Sequence, residues 1–388
     1  MTTVSKLTTM IDDLLMVTNS IIEKPAVIID ERNVNYTVYE PLRSLTVTDG
    51  GSGSNITSYQ PIERFVLGPY ADNLTASLHN DVRQVQANDV WYNQLTFVGN
   101  VGQFDLVQFD YGEIAVYGDV DVLELSDSRA SDLSVYGVTD LVNATSLRDV
   151  DLTFSEISDA FEFSGLSDST ARIGFADDIT GQIEDSDDLS VSMLSADGTV
   201  LTLRDLSGLD LRIAMGDVVA NGSEIDGSSI ESGSGHDYFV LNDFTNGTID
   251  TGAGHDSVNL READQTAVRT GEGNDFFSFT TADPAAQVAY NLGAGHDFGI
   301  IAGGNTLGVL DDGEKDIIIF NADKGGQHIV FADEKDQFLI QFEGELWDAA
   351  MIDFVDQGGQ NDVAEVGNFS LAMYIQETEI LSPDPYLG

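Results

Sequence analysis

The sequence has no cysteine. Disulfides and thiolate metal sites are therefore excluded. Basic residues are scarce: 16 Lys and Arg stand against 67 Asp and Glu, a formal net charge of −51. Nucleic acid and anionic lipid are themselves polyanions, so electrostatic binding to either is excluded. Apolar runs are all short, which excludes a transmembrane helix. The opening stretch MTTVSKLTTMIDDLLMVTNSIIEK has neither the charged start nor the continuous apolar core of a signal peptide; if the protein is exported, a Sec-type signal is either absent or has been removed, and absence requires another route. No HExxH zinc motif, GxSxG elbow or P-loop occurs. No acid–base pair or nucleophile stands out among the many carboxylates, so the chain reads as a non-enzyme.

What the chain does have is 42% hydrophobic residues, too many for a disordered acidic tail. It folds, and folding against such self-repulsion points to bound cations or high salt.

The dominant pattern is a repeat of 19–20 residues. One apolar ladder runs Val116, Val135, Phe154, Ile173, Val191, Leu211, Ile230, Ile249, Val268, Val288, Val309 and Ile329. An Asp ladder runs beside it: Asp121, Asp140, Asp159, Asp178, Asp197, Asp217, Asp237, Asp256, Asp275, Asp297, Asp316 and Asp336. Two ladders in phase mean a repeating supersecondary unit. Helical repeats need about 33 residues or more, and these units are rich in Gly, Asp, Thr and Val, which suits two short strands and two turns per coil.

The expected fold is all-β: a right-handed parallel β-solenoid of about 19–20 residues per coil over residues 96–345, with coils stacked about 4.8 Å apart. Residues 1–95 are expected to form an N-terminal cap or docking region, with a helix over 3–22 followed by β segments. Val4, Leu7, Ile11, Leu14, Leu15 and Val17 come near helical spacing there. Residues 346–388 are expected to cap the other end. QFEGELWDAAMIDF suggests a helix and NFSLAMYIQ a strand. Caps would cover strand edges that otherwise invite aggregation.

Chemistry concentrates between Ser232 and Ile300, where the turns read SGSGHD, TGAGHD, TGEGND and LGAGHD. The candidate metal-binding residues are Gly233, Gly235 and Asp237; Gly252, Gly254 and Asp256; Gly271, Gly273 and Asp275; and Gly293, Gly295 and Asp297. Glycine allows the tight backbone that aims carbonyls at one point, and aspartate supplies charge. Calcium takes six to eight such oxygens. Stacked turns are expected to hold Ca2+ between coils, in a single row of about three ions along one edge. His236, His255 and His296 fall just before the aspartates, where Asn274 also occurs, so the position reads as polar rather than as a transition-metal ladder. Lys315 and Lys335, just before Asp316 and Asp336, are expected to stand in for the ion's charge. GGQND at 358–362 is an outlying candidate.

These turns resemble the RTX repeat, Gly-Gly-x-Gly-x-Asp-x-apolar-x. Here Ser232, Thr251, Thr270 or Leu292 replaces the first Gly. The resemblance implies type I secretion with an uncleaved C-terminal signal, and folding driven by external calcium. It further implies a location outside the cell or on a bacterial surface. Similar proteins include surface-layer and matrix proteins, so the expected function is a secreted structural protein that self-assembles into a surface layer or fibre. The alternative is a carbohydrate-binding adhesin or polysaccharide-active solenoid, with cell-surface polysaccharide as partner.

Overall fold

The computed structural model describes residues 24–310, 313–349, 361–366 and 368–375. Strands make up 63% of the structure, no α-helix occurs among the described residues, and parallel stacked coils form a β-solenoid of about 17 turns. The chain divides into two compact units, Met1–Thr139 and Asp140–Gly388.

In the first unit, strands Ala26–Ile29, Leu42–Val47, Ile62–Leu67, Val82–Trp91, Val101–Asp110 and Val120–Ser126 stack in parallel, each on the one a coil earlier. Asn35–Val38, Asn55–Ser58, Thr75–Leu78, Gln94–Phe97 and Glu113–Val116 form a second ladder. Among the described residues, coils are therefore present from Ala26 rather than only from near residue 96, and residues 26–95 of the stretch expected to be a cap or docking region are solenoid coils. Their strands carry a local skip. Leu42, Leu45 and Val47 point inward, as do Ile62, Phe65 and Leu67, a spacing of three and then two. Arg43 and Glu63 drop out of the pairing between the first two inward residues, which breaks the strict alternation of a flat strand. Phe65, Phe97 and Phe104 fill the interior, with ring centroids 6.4 and 5.0 Å apart.

In the second unit, Asp151–Ser164 feeds two ladders. One passes through Thr170–Phe175, Ser190–Ser195, Asp210–Ile213, Ser229–Glu231, Thr248–Asp250, Thr266–Arg269, Gln287–Asn291 and Asn305–Val309 to Gly326–Ala332. The other passes through Thr180–Glu184, Thr199–Ser207, Val218–Asp226, Tyr238–Thr245, Ser257–Arg261, Phe276–Thr280, Phe298–Ala302 and Ile317–Asn321 to Gln337–Phe342.

The end of this unit differs from expectation in one part. Gln337–Phe342 and Glu345–Asp348 pair as an antiparallel hairpin where a helix was expected. Glu343 and Gly344, at φ 52° and 80°, are the two-residue loop with positive φ that matches strand twist. Phe369–Ile375 is a strand, as expected, and joins Gly326–Ala332 in parallel and Asn361–Val366 antiparallel. The helix expected over 3–22, positions 358–360 of the outlying GGQND turn, and residues 376–388 of the expected secretion signal lie outside the described residues.

The sequence ladders slip in places. Ile249 pairs with Val268, but Val268 pairs with Tyr290 rather than with Val288. Gly308 and Val330 continue that column, so Ile329 points outward and is 40% exposed. The Asp ladder slips too. Thr199 pairs with Val218, and Val219 with Tyr238, which places Val218 in register with Asp237. Asp217 instead shares the column of His236, whose N–H it accepts at 2.6 Å.

The corner opposite the Gly-Asp turns is built differently. Successive coils between Tyr70 and Gln265 place two residues at left-handed φ, three apart, among them Asp89 and Tyr92, Ser146 and Asp149, Asp185 and Asp188, Asp243 and Asn246, Glu262 and Gln265. Asp and Asn tolerate this conformation better than most side chains, so the acid content of the repeat is partly backbone chemistry.

Candidate functional site

Each Gly-Asp turn packs directly on the previous one. Gly233, Gly252, Gly271 and Gly293 have φ of 73°, 84°, 95° and 82°, and Gly235, Gly273 and Gly295 have φ of 149°, 147° and 144°. L-residues rarely adopt these angles. Space is equally tight, since a Cβ on Gly254 or Gly273 would strike the carbonyl of the glycine one coil before. The turn carbonyls of Gly233, Gly252 and Gly271 accept N–H bonds from Ala253, Glu272 and Ala294 at 2.8, 2.8 and 2.7 Å.

The four predicted aspartates come together as one column, each only 2–3% exposed. Oδ1 of Asp237 accepts the N–H of Val218 at 2.9 Å. Oδ1 of Asp256, Asp275 and Asp297 accepts the N–H of the preceding aspartate at 2.8, 2.8 and 2.7 Å. Asp316 and Asp336 extend the ladder at 2.8 and 3.0 Å. Each carboxylate thus closes the backbone of the coil before it.

The second carboxylate oxygens set the chemistry. Oδ2 of Asp237, Asp256 and Asp275 is buried and meets no donor. Hydroxyls of Ser232, Thr251 and Thr270 lie beside them and lower their pKa values. A hydroxyl has one hydrogen, however, and these donate it to the carbonyls of Thr251, Thr270 and Leu292 at 3.3, 2.9 and 2.6 Å. Burial dominates, pushing Asp237 and Asp275 up to about 6 and raising Asp256. A buried carboxylate with an open oxygen demands a proton or a cation.

The donor set is oxygen alone, which suits a hard cation such as calcium. Orphaned Oδ2 atoms and the second lone pairs of the turn carbonyls are the groups available to it. Among the described residues no three His, Cys, Asp or Glu side chains cluster closely enough to hold a metal by themselves. An ion here would draw on one or two carboxylates plus backbone carbonyls. At the last turn the need is met internally, because Asp336 accepts the N–H of Asp316 through Oδ1 and that of Asp333 through Oδ2 at 2.9 Å. The Lys335 ammonium there donates to the Gly313 carbonyl.

Two features escaped the sequence reading. Ser232, Thr251 and Thr270, which stand where the RTX repeat has its first Gly, form a hydroxyl ladder. Their in-register recurrence ahead of each Gly was the available signal. The histidines form another acceptor ladder. His236 and His255 stack at 5.1 Å with planes 2° apart. Nδ1 of His236 accepts the N–H of His255, and Nδ1 of His255 that of Asn274, both at 2.8 Å. Asn274 Oδ1 does the same for His296 at 2.8 Å. Asn and His alternate here because each offers one acceptor at the same height. Geometry assigns these Nδ1 atoms as unprotonated.

The fold and this column define a class: a parallel β-solenoid with an interior aspartate ladder in its Gly-Asp turns. No protein-family model, curated protein or solved structure matches the chain.

Proposed function

We propose that the chain is a secreted structural protein whose Gly-Asp turns bind calcium, in the manner of the RTX repeats they resemble, and that it self-associates outside the cell into a layer or fibre. The observation that carries this reading is the row of buried Oδ2 atoms on Asp237, Asp256 and Asp275. Three anionic carboxylates one coil apart, about 4.8 Å, repel one another in a low-dielectric turn. Calcium offsets that repulsion and couples binding to folding. Where free calcium is low the turns are weak, and at external concentrations they are firm.

The deciding measurement combines thermal melting with electron microscopy, in chelator and in millimolar calcium. A calcium-dependent rise in melting temperature together with ordered assemblies supports the reading. A protein indifferent to calcium overturns the metal part, and one that stays monomeric overturns the assembly part.

A second reading is carbohydrate binding. A groove of about 810 Å3 on the second unit carries the amides of Gln265, Gln287, Asn305 and Gln327 beside Leu307 and Ile329. Amides next to exposed apolar side chains suit a neutral sugar chain. Co-sedimentation with insoluble polysaccharides tests it.

A further inference from the structure

Three of the strands that leave the aspartate column carry apolar residues on both sides. Phe276–Thr280 reads FFSFT, Phe298–Ala302 reads FGIIA and Ile317–Asn321 reads IIIFN. Inward, Phe277, Phe279, Ile301, Ile318 and Phe320 are fully buried. Outward, the registers align Phe276, Phe298 and Ile317 in one column, and Ser278, Ile300, Ile319 and Leu339 in the next. All of these are half-buried, and Phe276 and Phe298 stack at 5.9 Å. Across the four strands from Ser257 to Asn321 the one charged outward residue is Arg261. That is exceptional in a chain with 21% charged residues. Near-continuous apolar strands are the pattern of a parallel sheet covered on both faces.

We propose that this outer face is a docking surface for a second copy of the chain. The proposal rests on the self-assembly reading above and names its contact. Charge selects the occupant first. Each copy carries −51, so two copies approach closely only where charge is absent. Period selects it second. A facing sheet packs about 10 Å away with side chains interdigitated. A partner with the same rung spacing of about 4.8 Å stays in step over successive coils, and another copy has that spacing by construction.

The face is tied to the aspartate turns. The first N–H of Ser257, Phe276, Phe298 and Ile317 bonds to the backbone carbonyl of Asp237, Asp256, Asp275 and Asp297 at 2.8, 2.8, 2.9 and 2.9 Å. Order in the turns therefore sets the alignment of the outward columns. Size limits the contact. Four coils of three outward residues span about 20 Å by 14 Å, roughly 300 Å2 per copy, well under the ~800 Å2 per partner of a stable pair. One contact is weak, and durable association needs many contacts at once, as in a layer or fibre.

Ile319→Lys places a charge at the centre of the face while its aliphatic stem still covers the sheet. Ser278→Lys, in the same column, is the second variant should the first not fold. Sedimentation of full-length protein in millimolar calcium, with melting in parallel, reads the result. Wild type associates, and either folded variant with wild-type calcium-dependent melting associates at least about ten-fold more weakly. If the variants associate like wild type, this face is overturned and the self-assembly reading survives. If wild type itself stays monomeric while its melting responds to calcium, both this face and the assembly reading are overturned. Co-sedimentation of monomeric wild type with a polysaccharide, lost in the variants, would replace the second copy as occupant and overturn the proposal.

Discussion

Asp275→Asn separates a cation site from a purely structural carboxylate. Asp275 is 3% exposed; its Oδ1 accepts the Asp256 N–H at 2.8 Å and its Oδ2 meets no donor. Burial raises its pKa from 3.8 to about 6. The folded state therefore holds the proton up to about pH 6 and the unfolded state only to 3.8. Between those values the folded state binds more protons, so stability falls as pH rises through the window. At about 1.36 kcal/mol per unit, the ionised carboxylate destabilises the cation-free protein at pH 7 by at most ~3 kcal/mol. Asparagine keeps the acceptor, carries no charge, and can donate from Nδ2 to the Thr270 hydroxyl oxygen. Expected in chelator at pH 7 is a gain of about 1–3 kcal/mol in unfolding free energy, with a flatter profile between pH 4 and 6. In calcium the variant's lead narrows. Wild type gains about 2.7 kcal/mol when the ion is a hundredfold above Kd, and the variant gains less. Asp275→Ala also loses the charge but removes the acceptor and strands the Asp256 N–H, so in chelator it should be about 1–3 kcal/mol less stable than the asparagine variant. Urea titrations followed by circular dichroism, from pH 4 to 8 with and without calcium, give all three values. Equal destabilisation of the Asn and Ala variants in chelator would refute the reasoning, because the buried charge would then be harmless.

Three further outcomes are expected. His328 is 1% exposed, lies 5.0 and 5.3 Å from the Phe320 and Phe369 rings, and is held down to about 4 by burial. Its unfolded form takes up a proton first as pH falls, so its contribution is complete above pH 6.5 and is lost toward pH 4, up to ~3 kcal/mol. His328→Gln removes that slope, read as the variant's difference in urea midpoint across pH 4–7. Tyr290 Oη is buried without a hydrogen-bond partner, and the adjacent Thr306 hydroxyl already pairs with His328 Nδ1 at 3.0 Å. Tyr290→Phe should leave stability unchanged or raise it by up to about 1 kcal/mol in a thermal melt. Gly271 and Gly313 have φ of 95° and 83°, but a Cβ at Gly271 strikes the Gly252 carbonyl while one at Gly313 meets nothing within 4 Å. Gly313→Ala should cost about 1 kcal/mol, and Gly271→Ala about 1–3 kcal/mol more, compared by denaturant midpoint.

The period, the strand type and the four Gly-Asp turns were legible because each recurs at nearly constant spacing. Register was not. Pro284, Ala285 and their neighbours lengthen one coil, and the ladder through Val268 then chose Val288 instead of Tyr290, two residues away on the same face. Such a slip leaves an apolar residue in place and so raises no alarm. The slip at Asp217 is of the same kind, because aspartate is common enough to fill either of two adjacent columns. The hairpin at Glu343–Gly344 is hard to see in sequence because two positive-φ residues weigh little beside a run of helix formers. Within the candidate site, the carboxylates were visible. Their inward aim was not, since it depends on Oδ1 closing the backbone of the coil before.

Stacking explains why the proposed cation row and the proposed docking face occur together. A parallel solenoid repeats whatever the coil carries at about 4.8 Å intervals. An aspartate column becomes a line of like charges, each pair worth about 3 kcal/mol of repulsion at an effective dielectric of 20. The exposed corner already shows the strain, for Glu224 is held above the usual carboxylate range by a hydrogen bond with Asp205. Inside the turns water cannot relieve the repulsion, and only a proton or a cation can. The same repetition makes an uncharged position such as Ile300 or Ile319 into an uncharged face. One period thus creates both the demand for a cation and the surface on which neutralised copies could meet. The two are joined by the carbonyls of Asp237, Asp256, Asp275 and Asp297, which hold the first residue of each strand of that face. Loosening of the turns therefore disturbs the alignment of that face.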